Sequence, residues 1–86
     1  MTFTDDQFVT LSQYERVFKQ ALDQQVGRAI SDRDVTIIAN IYHEATQTPR
    51  RNYSCAICRY NLFRRCGSAY RRDKRERESQ TLENGA

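Results

Sequence analysis

The apolar side chains of the first 26 residues recur every three or four positions, which is the spacing of a helix with one buried face. They are Phe8, Leu11, Tyr14, Phe18, Leu22 and Val26. Thr4 and Gln7 fit the capping box that starts a helix, and Gly27 is a natural stop. The pattern therefore predicts one continuous helix over residues 5–26.

Two further segments carry the same helical spacing. Ser31 and Asp32 are both candidate caps for a second helix over residues 32–46, which a short connector follows. Ser54 is a good cap for a third helix over residues 55–77. Gly67 is a weak point within that third helix, because glycine costs about 1 kcal/mol relative to alanine in a helix interior.

These three helices predict an all-α fold, a small three-helix bundle that forms a single domain over residues 1–77. Residues 78–86 are polar, and we expect a frayed, flexible C-terminal tail there. A domain of this size buries only roughly 60% of its unfolded surface, so a homodimer would help to secure the core.

The sequence favours a cytoplasmic protein with no membrane association. No run of about 18 apolar residues is present, and the acidic N-terminus lacks the basic and apolar stretches of a secretory signal. Cytoplasmic thiols stay reduced, and the chain has three cysteines, which is an odd number. We therefore expect no disulfide framework.

Positive charge is concentrated in one third of the chain. Residues 50–77 hold ten Lys and Arg residues and two acids, a net charge of +8, whereas residues 1–49 hold four bases and seven acids, a net charge of −3. The third helix therefore has a basic face opposite its apolar stripe, and such a face suits a phosphate backbone or an acidic protein surface.

The basic face supplies the candidate binding residues. We expect phosphate contacts from Arg64, Arg71, Arg72 and Arg75. Tyr60 and Tyr70 are candidates for stacking on bases. A further hypothesis pairs Glu15 with Arg59 across the bundle, because both charges fall within apolar stripes.

Three interpretations of the cysteines compete. Zinc would need Cys55, Cys58, Cys66 and His43 as its four ligands. In a continuous helix, however, Cys58 and Cys66 lie about 12 Å apart, too far to share an ion. A redox role for the CxxC pair lacks the preceding strand of a thioredoxin-like site. We favour small apolar core residues, with no metal or other cofactor, and a solvated or hydrogen-bonded His43.

Residues 54–70 resemble a segment of small, mostly uncharacterised helical CxxC proteins of gut bacteriophages and prophages. The matching positions are Cys55, Cys58, Leu62, Phe63, Gly67 and Tyr70. The match covers about a fifth of the chain. The resemblance implies a short open reading frame of bacterial or viral origin, in a bacterial or phage-infected cell. It carries no established activity.

Catalytic motifs are missing from the sequence. It has no Gly-rich phosphate loop, no Ser-His-Asp set and no carboxylate pair in an evident cleft. We therefore expect a non-enzymatic, phage-type accessory protein that binds nucleic acid through the basic face of its third helix. The alternative is a protein–protein interaction module, either a virion component or an inhibitor of a host protein, that uses the same arginines on an acidic partner.

Overall fold

The computed structural model describes the backbone of residues 1–85 and the side chains of residues 1–80. Within these residues the regular structure is entirely helical, which confirms the all-α class. The four helices are α1 (Asp5–Ser12), α2 (Glu15–Asp23), α3 (Asp32–Thr46) and α4 (Ala56–Gly85). The count differs from the expected three because the first predicted helix is broken into α1 and α2.

The break in the first predicted helix lies at Gln13 and Tyr14. The capping box at Thr4 starts α1 as predicted, but the last turn of α1 tightens, and the N–H of Tyr14 donates to the carbonyl of Leu11 at 2.9 Å. Tyr14 leaves helical geometry at this point, and its hydroxyl donates to Asp34 at 2.8 Å. The bond to Asp34 joins the break to α3.

The helix ends agree with the sequence patterns to different degrees. α3 has the predicted bounds, and the Ser31 hydroxyl accepts the N–H of Asp34 at 3.2 Å as its cap. α2 ends at Asp23, before Gly27, where the N–H of Val26 donates to the carbonyl of Gln20.

α4 is longer than predicted, since helical geometry extends through Gly85 into the segment expected to be a flexible tail at 78–86. The Arg, Lys, Glu and Gln residues after Tyr70 are good helix formers, which favours the longer helix. Ala86 lies outside the described residues. No helix among those described is both long and apolar enough to cross a membrane.

α4 is the central element, and α1, α2 and α3 each pack on it. Its buried side chains are Leu62, Phe63, Cys66, Tyr70 and Asp73. The ring of Tyr70 stacks on Phe8 from α1 and tilts against Phe18 from α2. The core therefore consists of the inward faces of three shorter elements around one long helix.

Gly67 lies where α2 and α4 approach each other closely. A Cβ atom added there would lie 2.8 Å from the Cβ of Phe18 and 3.2 Å from a methyl carbon of Leu22. Helix α4 continues through this glycine. The absence of a side chain at Gly67 thus allows α2 to pack closely on α4. The weak helix propensity of glycine matters less at this position.

The Gly67→Ala variant tests this close approach. Helix propensity alone would stabilise the variant by about 1 kcal/mol. Because the clash involves the Cβ of Phe18, which cannot swing away, overpacking of about 1–3 kcal/mol opposes that gain. We expect a net loss of free energy of unfolding, measured by urea denaturation. The exposed neighbour gives the control, Ser68→Ala, which should be neutral or stabilising, and a more stable Gly67→Ala would contradict the packing argument.

Asp73 fixes the N-terminal segment to α4. This carboxylate is fully buried, and its two oxygens accept the backbone N–H groups of Thr2 at 2.8 Å and Phe3 at 2.7 Å. Phe3 is buried in the core, and its carbonyl accepts a hydrogen bond from Arg77 at 3.0 Å. The N–H groups satisfy the buried charge, so the segment before α1 becomes part of the packed domain.

Two substitutions of Asp73 should differ in a graded way. Asp73→Ala removes both acceptors and leaves two backbone N–H groups without partners, which should lower the free energy of unfolding by about 3 kcal/mol or more. Asp73→Asn keeps one acceptor oxygen and should lose less. Chemical denaturation measures both variants, and equal losses would argue against the paired acceptor role.

Candidate nucleic-acid interface

Four cations of α4 are already used inside the fold. Each lies within 2.7 Å of a carboxylate on one of the preceding helices. The pairs are Arg59–Asp32, Arg71–Asp23, Lys74–Glu15 and Arg77–Asp5. The acidic first half of the chain and the basic helix α4 therefore attract each other within one molecule. Part of the positive charge of α4 is thus not available to a partner.

The predicted pairing of Glu15 with Arg59 is wrong. Glu15 accepts hydrogen bonds from the Tyr70 hydroxyl at 2.9 Å and from Lys74 at 2.7 Å. These bonds, that of Lys74 first, lower the pKa of the Glu15 carboxyl. Arg59 lies at the other end of α4, where it pairs with Asp32 and donates to the carbonyl of Tyr53.

Arg71 was expected to bind phosphate, but its guanidinium is engaged by Asp23. Two parallel hydrogen bonds of 2.8 Å and 2.6 Å join them, the bidentate geometry in which arginine holds a carboxylate most firmly. The bonds from Arg71 also lower the pKa of Asp23. Arg71 therefore joins α4 to the end of α2.

Three other arginines line an open groove between α3 and α4. Arg64, Arg65 and Arg72 are exposed, and the groove has a volume of about 610 Å³. Tyr42 and Thr46 contribute from α3, and none of the described residues that line the groove is acidic. Within residues 1–80, none of these three arginines forms an ion pair. The groove therefore carries uncompensated positive charge.

The structure divides the four predicted arginines between two sides of α4. Arg64 and Arg72 lie in the groove with Arg65, which the helical-face argument omitted. Arg75 is exposed beside Arg71 and lines a separate depression on the α2 side. Arg65 could have been identified from the sequence, because it lies seven residues, about two helical turns, before Arg72.

The two tyrosines expected to stack on bases differ in exposure, and stacking by Tyr60 stays a prediction. Tyr70 is only 2% exposed, with its ring against Phe8 and its hydroxyl on Glu15, so it belongs to the core and is not available for stacking. Tyr60 is half-buried, and the guanidinium of Arg64 lies 5.7 Å from its ring centre. The aromatic residue in the groove itself is Tyr42 of α3.

The three cysteines have separate environments. Cys66 is fully buried as expected for a core residue, and burial raises the pKa of its thiol to about 12. Cys55 is exposed and Cys58 is half-buried, so the expectation that both pack in the core is wrong. Their sulfur atoms lie at disulfide-bonding distance. The described residues contain no cluster of ligands that could hold a metal ion.

His43 is buried and hydrogen-bonded on both ring nitrogens. Nδ1 lies 2.7 Å from the Thr48 hydroxyl and Nε2 lies 2.5 Å from the Tyr53 hydroxyl, which matches the expected hydrogen-bonded state. The imidazole thus holds the connector between α3 and α4 against α3. Burial first, then the positive charges of Arg50 and Arg51, lower its pKa.

The lowered pKa of His43 predicts a pH-dependent stability. As pH falls below about 6.5, the unfolded chain binds a proton at this histidine before the folded chain does, so protonation favours unfolding. We expect the urea concentration at the unfolding midpoint to decrease as the pH is lowered from 7 to the pKa of His43 in the folded protein. His43 is the sole histidine of the chain, so the His43→Gln variant should give a flat profile over this range. An unchanged slope in that variant would place the effect elsewhere.

No protein-family model, no curated protein and no solved structure matches this chain. The groove is therefore interpreted from its own residues, their exposure and their charge.

Proposed function

We propose that this protein binds nucleic acid through the groove between α3 and α4. The observation that carries the proposal is the set of three exposed arginines, Arg64, Arg65 and Arg72, in a groove whose lining has no acid. In this proposal it is a non-enzymatic accessory protein of a phage or mobile element, acting in the cytoplasm of a bacterial or phage-infected cell.

The chemistry of the groove suits a phosphate backbone. Guanidinium groups bind phosphate oxygens through a planar fork, and they remain charged at any cellular pH. Arg64 and Arg72 lie eight residues apart on one helix, about 12 Å along its axis, so they reach different phosphates of one strand. Tyr42 supplies an aromatic ring beside them, and arginines with aromatic rings are the composition of sites that bind single strands.

An acidic protein surface is the second candidate, and one observation favours it. Four cations of α4 already hold carboxylates within this chain, so the helix is suited to carboxylate partners as well as phosphates. In this case Arg64, Arg65 and Arg72 would bind Asp and Glu side chains of a virion or host protein. Binding to nucleic acid separates the two candidates.

The test is fluorescence anisotropy with labelled single- and double-stranded DNA and RNA. Three phosphate contacts predict an affinity about 20- to 40-fold lower at 200 mM than at 50 mM salt. The triple variant Arg64→Ala, Arg65→Ala, Arg72→Ala should lose most of the affinity measured at low salt, because none of these arginines forms an ion pair with an acid of residues 1–80 and the fold is kept.

A matched control removes the same charge elsewhere. Arg16, Arg28 and Arg33 are exposed and lie outside the groove lining, so their triple alanine variant has the same net charge as the groove variant. We expect the control to keep most of the affinity. Equal losses in both variants would show that net charge alone drives binding, and no binding at low salt would favour the acidic protein partner.

A further inference from the structure

The CxxC sequence forms a close pair of sulfur atoms at the start of α4. The Cα atoms of Cys55 and Cys58 are 5.3 Å apart, and their sulfur atoms lie at disulfide-bonding distance. Cys55 is exposed and Cys58 is half-buried. Both sulfurs are therefore positioned to form a bond, and one of them is open to solvent.

A hydrogen-bond donor and positive charge lie beside the pair. The N–H of Cys58, in the first turn of α4, donates to the sulfur of Cys55 at 3.1 Å. Cys58 also lines a cavity of about 130 Å³ together with Arg51 and Arg65. Helix N-terminal N–H groups and nearby guanidinium groups both stabilise a negative sulfur, which is the reactive form in thiol chemistry.

Cys66 provides a contrast within the same helix. Its side chain is fully buried in the core, and this burial raises the pKa of its thiol to about 12. At neutral pH it is therefore protonated and inaccessible. Any thiol reactivity of the chain is thus confined to Cys55 and Cys58.

We propose that Cys55 and Cys58 form a thiol–disulfide exchange site for small anionic disulfides of the glutathione type. Cys55 is the attacking residue because it is exposed and its sulfur accepts the helix N–H. Cys58 is the resolving residue. Arg51 and Arg65 in the adjoining cavity provide positive charge for the carboxylates of such a substrate. This activity goes beyond the proposed binding of nucleic acid, and the two sites share Arg65.

The exchange proceeds in two steps. The thiolate of Cys55 attacks one sulfur of the substrate disulfide, a mixed disulfide forms, and the departing thiolate takes a proton from water. The thiolate of Cys58 then attacks the Cys55 sulfur, which closes the Cys55–Cys58 bond and releases the second substrate thiol. Two protein thiols are oxidised and one substrate disulfide is reduced to two thiols, so no other oxidant is needed.

The experiment follows the reduced full-length chain after addition of oxidised glutathione, with acid quenching, thiol alkylation and mass spectrometry. The wild type should form an intramolecular disulfide at Cys55 and Cys58, and reduced glutathione in excess should reverse it. Cys58→Ser should stop at the first step and accumulate one glutathione adduct on Cys55. Cys66→Ser should behave as the wild type, and far-UV circular dichroism verifies the fold of each variant.

Three results would overturn the proposal. One is a folded Cys58→Ser variant that gains no glutathione at Cys55. Another is modification of Cys66 as fast as that of the CxxC pair. The third is a Cys55–Cys58 disulfide that excess reduced glutathione leaves intact in the folded protein, because that bond would be structural. None of these results depends on nucleic-acid binding.

Discussion

The fold depends on how closely α2 approaches α4, and Gly67 sets that distance. Because this residue has no Cβ, Phe18 can lie directly against the backbone of α4. One turn further along α4, Tyr70 then meets Phe18 and Phe8 together, and its hydroxyl reaches Glu15. A larger residue at position 67 would separate these partners, so a single missing side chain determines the arrangement of the aromatic core.

Charge has two different roles in this chain. Acids of α1, α2 and α3 pair with four cations of α4, which are Arg59, Arg71, Lys74 and Arg77. Part of the opposite charge of the two halves of the chain therefore holds the helices together. Exposed pairs of this kind each add little stability, but they are spread along α4 from Arg59 to Arg77 and favour one register of packing. The arginines left over are those relevant to a ligand.

Local patterns predicted the elements well where the end signals were local. The start of α3 followed from the two candidate caps, Ser31 and Asp32, of which the structure uses Ser31, and the start of α1 followed from Thr4 and Gln7. The break at Tyr14 could not be predicted, because the three-four spacing continues through it and the hydroxyl of Tyr14 is bonded to Asp34, twenty residues away. Tertiary contacts of this range leave no mark on periodicity.

The candidate site was predicted in part for the same reason. Helical geometry placed Arg64, Arg71 and Arg75 on the outward face of α4, but it contains no information on which acids lie opposite. Arg71 therefore had the same sequence signature as Arg72, and only the position of Asp23 at the end of α2 separates them. Likewise, helical geometry placed Cys55 and Cys58 on the packing side. The first turn of α4 nevertheless lies outside the core, whose residues on this helix begin at Leu62.

The arrangement of all the packing around α4 has a consequence for the order in which the chain acquires structure. The side chains that α1, α2 and α3 bury are covered mainly by residues of α4, and the N-terminal segment is held by Asp73, about seventy residues later in the chain. During synthesis, the earlier segments can form helical turns but have no surface to pack on until residues 62–73 have been made. Tertiary structure is therefore acquired late, after the apolar faces of the first three helices have been synthesised without the helix that covers them.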